Sequence, residues 1–188
     1  MELTDENIVK NILDGDHEAF GLLMSRYQSK LEYYGRKFIS DKDDVHDLIQ
    51  DIFIKAYTNL RSFDIKRNFS SWIYSIAHNV FVNAIRDGAK NRLNFSLFDA
   101  DVLFPHPISN DNADDKTKRD EIKNMFDSYL SDIVPKYREP FVLYYYQELE
   151  YKEISDILKV PVSTIASRVK RAKELLRKSM EKSVLFNE

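Results

Sequence analysis

Residues 151–178 read YKEISDILKVPVSTIASRVKRAKELLRK, and this stretch decides the fold of the chain's last quarter. Ile154, Ile157 and Leu158 recur at helical spacing and predict a short amphipathic helix. Val160-Pro161-Val162 breaks it, because proline tolerates a helix start but not an interior. Ser163 is then the expected N-cap of a second helix, with Ile165, Val169, Ala172 and Leu176 on its buried face. Two helices joined by so short a turn predict a helix-turn-helix. The second carries Arg168, Lys170, Arg171, Lys173, Arg177 and Lys178 against one acid, Glu174, while the whole chain has a net charge of −3. The cation density is therefore local, which points to duplex DNA. Helices that enter the major groove present their first turns to base edges. Thr164, Ser167, Arg168 and Arg171 are thus expected at bases or nearby phosphates, and Lys170, Lys173 and the distal cations at backbone phosphates. A solvated terminal helix is the competing reading; the turn proline, the capping hydroxyl and the preceding helix weigh against it.

The rest of the 188 residues suit one medium domain or two small ones. Hydrophobic residues at 43% and aromatics at 13% are enough for real cores, so wholesale disorder is not expected. Only four glycines and five prolines, among long runs of helix formers, predict an all-α protein. With no cysteine there is neither a disulfide nor a thiolate metal site, which fits a reducing, cytoplasmic compartment. The polar start MELTDENIVK does not resemble a signal peptide, and no apolar stretch approaches the length that spans a bilayer. A pI near 5.9 means that nucleic-acid binding must use patches.

Toward the N-terminus, Thr4 should cap a helix over 4–14, and Asp16 a second that runs to about Phe38 with Phe20, Leu23, Met24, Tyr27 and Leu31 on one face. From a cap at Asp41 to Asp43, Val45, Leu48, Ile49, Ile52, Phe53, Ala56, Tyr57 and Leu60 advance by threes and fours, a strong amphipathic helix whose other side is acidic. Residues 61–69, RSFDIKRNF, lose the period and form a basic, aromatic loop. Ser70 or Ser71 should cap the next helix, with Trp72, Ile73, Ile76, Ala77, Val80 and Ala84 inward, and the three helices should close one bundle around Trp72. Periodicity then collapses. Residues 99–115 hold five aspartates, two prolines and no Lys or Arg, so 91–116 is expected to be a flexible acidic linker between a domain at 1–90 and another at 117–188. Helical signals return near Lys116 and run to Ile133, and Pro135 starts the following helix.

Laid out in this way, the chain resembles the extracytoplasmic-function (ECF) sigma factors of the bacterial sigma-70 family. DDVHDLIQDIFIKAYTNL (43–60) is similar to the family's acidic-leucine-glutamine helix, FSSWIYSIAHNVFVNAIRD (69–87) to its promoter-melting helix, and YREPFVLYYYQELEYKEISDILKVPVSTIASRVKRAKELL (137–176) to its minus-thirty-five reader. The resemblance implies two small helical domains, similar to regions two and four, and a transcription initiation factor with no catalytic activity. Such a factor binds core RNA polymerase, at the clamp helices of the largest subunit and at the flap, and directs it to promoters. Its C-terminal domain reads the minus-thirty-five duplex; its N-terminal domain helps to melt the minus-ten element. An anti-sigma factor is a further implied partner. No metal, other cofactor, small-molecule substrate or membrane insertion is implied.

Site residues follow by position. The minus-thirty-five contacts are Ser163, Thr164, Ala166, Ser167, Arg168, Lys170 and Arg171. Ala166 stands where relatives often carry a cation, and Lys159 where a turn glycine is usual. The pocket for an extruded minus-ten base would be walled by Phe63, Asp64, Ile65, Lys66, Phe69, Ser70 and Asn79. Aromatics there offer stacking faces, worth about 1–3 kcal/mol per base; Tyr74 and His78 lie in the same stretch. The acidic face implied for the polymerase clamp comprises Asp44, Asp47, Leu48, Gln50, Asp51 and Phe53, with Leu48 and Phe53 also readable as core. Phe69 could instead staple the start of its helix.

Two other functions use the same residues. A polymerase-independent helix-turn-helix regulator would bind its operator tightly by itself. A metal-dependent nuclease would use Asp44, Asp47 and Asp51, but carboxylates on one straight helix do not surround an ion without further ligands, and no nucleophile–base signature or glycine-rich phosphate loop is present.

Overall fold

The computed structural model describes residues 3–91 and 118–185. Among the described residues there are eight α-helices, two 3-10 turns and no strand. The expected linker lies outside them apart from its first residue.

The first half is built from α1 (Asp5–Leu13), α2 (Phe20–Gly35), α3 (Lys42–Asn59) and α4 (Phe69–Asn91). Thr4 caps α1 through its side-chain oxygen, which accepts from the Asn7 backbone N–H. Asp16 caps a 3-10 turn at 17–19 that leads into α2. Asp41 caps α3, accepting from the N–H groups of Asp43 and Asp44. Helix α2 ends at Gly35, earlier than expected, and turns through Lys37 and Phe38 by bonds back to Tyr34 and Gly35.

Helix α4 starts at Phe69 rather than at a serine cap. The Trp72 N–H donates to the Asn68 carbonyl, so Ser70 and Ser71 lie inside the first turn. The bundle also closes differently from the expectation of a central tryptophan. Phe69, Tyr74 and Phe81 are the fully buried rings of α4, while Trp72 is half-buried against Phe63 and Phe69. Met24 and Tyr57 are exposed despite their places in the apolar period. Ile8, Leu23, Leu31, Ile52 and Ile73 complete this core; burying each such side chain contributes about 1.5–3 kcal/mol.

The second half holds α5 (Lys118–Ser131), α6 (Pro135–Tyr145), α7 (Tyr151–Leu158) and α8 (Val162–Leu185). Pro135 sits at the start of α6, where its missing N–H costs nothing. The Glu150–Glu153 capping box opens α7. Lys159 ends it in the left-handed conformation (φ 56°, ψ 38°), doing with a side chain what glycine does at most helix C-termini. Helix α8 begins at Val162, because the Pro161 carbonyl accepts from the N–H groups of both Thr164 and Ile165. Ser163 is therefore in the first turn and is not the N-cap. Ile154, Ile157, Ile165, Val169, Ala172 and Leu176 are buried as their period requires.

Candidate nucleic-acid interface

Helix α8 packs its apolar stripe against α6 and α7, which turns the opposite face of its first turns to solvent. Ser163, Ser167, Lys170 and Arg171 are exposed, and Thr164, Ala166 and Arg168 are half-exposed beside them. The seven expected residues therefore share one accessible face. Two are engaged locally. The Ser167 hydroxyl donates back to the Ser163 carbonyl at 2.7 Å, and Arg171 Nη1 lies 3.2 Å from Glu174 Oε2. That exposed pair is weak, worth at most about 1 kcal/mol, and exchanges readily for a phosphate.

The loop at 63–68 divides into two layers. Asp64, Ile65 and Lys66 are exposed, and the Asp64 side chain accepts from the Lys66 N–H at 3.0 Å. Phe63 and Phe69, by contrast, are buried edge-to-face, with ring centroids 5.6 Å apart. Their stacking faces are not open here; they anchor the loop to the bundle. Ser70 is half-buried and Asn79 is exposed on the following helix. Tyr74 is 1% exposed and donates to the Gln147 amide oxygen, so it offers no free face.

On α3, Asp44, Asp47, Gln50 and Asp51 are exposed and Leu48 is half-buried. Phe53 is core, at 5% exposure, because it meets Phe20 edge-to-face. It floors a groove of about 730 Å³ between α2 and α3 whose sides include Met24, Gln50, Ile54 and Tyr57. Among the described residues no group of three or more His, Asp or Glu could hold a metal ion.

A third set of contacts joins the two halves, and no sequence signal marked it. Glu139 Oε1 accepts from the Tyr34 hydroxyl at 2.6 Å and lies 2.7 Å from His78 Nδ1. Asp127 Oδ1 accepts from the Tyr33 hydroxyl at 2.6 Å and from Lys37 Nζ at 3.0 Å. At the rim, Arg67 Nη2 reaches Asp156 Oδ2 at 3.0 Å, and Asn68 Nδ2 donates to Glu153 Oε1 at 2.7 Å. These partners stand 61 to 105 residues apart along the chain, so neither periodicity nor local motif connects them. Burial, followed by the charge and hydrogen bond of Glu139, pushes the Tyr34 phenol well above its ordinary range. Arg138, at 1% exposure, donates from Nη1 to the Ser131 carbonyl, and burial pulls its guanidinium down to about 10 against the opposing charge of Glu139.

An all-α chain with an exposed hydroxyl-and-cation helix face and a basic loop over a separate bundle defines a two-domain DNA-binding protein. Known proteins make the class specific. Residues 23–91 match Sigma-70 region 2, and residues 124–176 match Sigma-70, region 4. The ECF RNA polymerase sigma factor SigW of Bacillus subtilis (strain 168) is 31% identical over 192 residues, covering 96% of this chain and 98% of the relative. The ECF RNA polymerase sigma-E factor of Escherichia coli (strain K12) is 30% identical and covers 93% of each. The same fold occurs in CnrH, solved in complex with the cytosolic domain of CnrY (TM-score 0.67, 23% identity, 95% of this chain and 97% of that one). It occurs also in the sigma factor RpoE from Bartonella quintana, solved with the anti-sigma factor NepR (TM-score 0.66, 21% identity, 86% and 96%). The chain belongs to the ECF sigma factors of the sigma-70 family. It is a transcription initiation factor that binds core RNA polymerase and directs it to promoters. Among the described residues no helix is long and apolar enough to cross a membrane.

Proposed function

We propose that the work of promoter selection divides between a domain at residues 1–90 and another at 117–188, joined by a linker at 91–116. The second reads the minus-thirty-five duplex. Thr164, Ser167, Arg168 and Arg171 meet base edges and flanking phosphates in the major groove, Ser163 and Lys170 touch the backbone, and Ala166 offers a methyl to a thymine. The first domain receives the opened minus-ten strand. Asp64, Ile65, Lys66, Ser70 and Asn79 form the accessible wall of the base pocket on a frame of Phe63 and Phe69, and the Asn79 amide donates to and accepts from a base edge. Asp44, Asp47, Leu48, Gln50 and Asp51 dock on the polymerase clamp beside the groove that Phe53 floors, and the second domain engages the flap. The protein acts in the cytoplasm and has no catalytic activity of its own. An anti-sigma partner fits this reading, since the two solved structures of like fold each hold a bound partner.

One observation carries the DNA assignment: the free face of α8 is polar and cationic over its first turns, while its other face is buried core. Run-off transcription with purified core polymerase and a pool of genomic promoter fragments tests it and returns the promoter sequence. Arg168→Ala with Arg171→Ala should lose transcript while still binding core polymerase; undiminished transcript would remove both residues from the reader. Tight, specific DNA binding without polymerase would instead favour a free-standing regulator.

A further inference from the structure

The two halves are docked on each other, and a promoter cannot be read in that state. The minus-thirty-five and minus-ten elements lie about 25 base pairs apart, roughly 85 Å at about 3.4 Å per pair. A compact body of this chain length is only about 40 Å across. The chain between residues 91 and 118 permits a separation of up to about 90 Å, so the halves can reach both elements only after they part. We propose that Glu139 is a proton-dependent latch: with His78 protonated it holds the factor closed, and loss of that proton weakens the hold of the second domain on the first and shifts the balance toward the open form. The inference rests on the two-domain promoter reading for its consequence, but the latch itself is a property of the free protein.

The geometry is specific. One carboxylate oxygen of Glu139, on α6, takes the Tyr34 hydroxyl from α2 and faces His78 Nδ1 from α4, so a single atom ties three helices of both halves. The side chains of His78 and Glu139 are 19% and 10% exposed, so salt screens this pair less than it screens the outer Arg67–Asp156 pair, whose side chains are 64% and 54% exposed. Each neighbouring element adds a titratable or charged group. α6 brings Arg138, which points to the Ser131 carbonyl; the turn after α7 brings Lys159; α4 itself brings Tyr74, held by Gln147. A neutral imidazole can still donate from Nδ1 to the carboxylate, so what deprotonation removes is the charge assistance and not the contact.

The direction follows from the same surroundings. Burial is the largest influence on His78 and favours the neutral ring. The hydrogen bond to Glu139 and its charge outweigh that effect, Lys159 opposes them, and the pKa ends above the ordinary 6.5. A raised value in the closed form means that closure is favoured fully below the ordinary value and is lost as pH rises through the closed-form value. Acid therefore favours the closed form and alkali the open one.

Small-angle scattering of the full chain, without polymerase or DNA, tests this between about pH 5.5 and about pH 8.5, across the histidine range. The radius of gyration should rise with pH for the natural sequence. His78→Gln, whose amide can donate but cannot titrate, should abolish the pH dependence. Glu139→Gln should give an expanded particle at every pH, with helical circular dichroism confirming that both variants are folded. A radius that does not change with pH, or a His78→Gln profile that follows the natural one, overturns the latch. Neither outcome touches promoter selection, which run-off transcription reads separately.

Discussion

A methyl group on Gly35 would stand 2.6 Å from Phe81 Cζ, with Val45 Cγ1 at 3.1 Å. The absent side chain at the end of α2 is what allows the Phe81 ring of α4 to fill the bundle. Gly35→Ala should therefore destabilise the N-terminal half by about 1–3 kcal/mol through overpacking. Urea unfolding followed by circular dichroism would show a lower midpoint at unchanged slope. Gly35→Ala with Phe81→Leu should recover part of the loss; an unaltered midpoint for the single variant would mean that the ring has room to move.

Lys159 holds a left-handed backbone where an L-residue is strained by about 1–2 kcal/mol. Lys159→Gly removes the strain but adds flexibility to the unfolded chain, so a net gain of about 0.5–1 kcal/mol is expected. Lys159→Val should lose stability, because a branched side chain resists positive φ more strongly. Chemical denaturation of the two variants should move in opposite directions.

Lys159 also opposes the charged form of His78. Taking the ammonium away raises the His78 pKa further, so the closed arrangement of Lys159→Gly should persist to higher pH than that of the natural protein. Titration of the His78 ring by NMR reads this directly; a shift toward lower pH would contradict the electrostatic picture of the site.

Tyr34→Phe removes a buried donor and leaves Glu139 with one partner fewer. A buried acceptor deprived in this way costs about 1–3 kcal/mol, more where it is charged. The docking of the two halves should weaken while each keeps its own core. Limited proteolysis should cleave the segment between residues 91 and 118 sooner, with the two helical fragments as resistant as before.

Glu174 restrains Arg171 on the exposed face of α8 that is proposed to meet the promoter. Glu174→Gln removes an acid next to the promoter and frees the guanidinium, so promoter affinity in the assembled polymerase should rise a few-fold at low salt. If Arg171 meets phosphate, Arg171→Ala should reduce the slope of log affinity against log salt by about 1. A slope equal to that of the natural protein would place Arg171 off the backbone.

Most of the helical architecture was legible in the chain. The caps at Thr4, Asp16 and Asp41, the proline opening of α6 and the buried stripe of α8 are local events, set within four or five residues by hydrogen-bonding groups and a 3.6-residue period. The same locality exposed the cationic face of α8. Where local rules failed, a competing neighbour won. Asn68 and Pro161 carbonyls took the first helical bonds of α4 and α8, so each helix started before its expected serine cap. Phe69 and Tyr74 have the chemistry of base-stacking rings but were drawn into the bundle, where they are almost wholly buried while Trp72 is only half-buried.

The amino-acid sequence by itself determined the helices, the exposed cations of α8 and the acidic face of α3, because each depends on neighbours a few positions away. Only the tertiary structure decided which aromatics are core and that Glu139 meets Tyr34 and His78. Those outcomes rest on contacts between residues up to 105 positions apart, and a linear pattern carries no record of which distant surfaces will exclude water together.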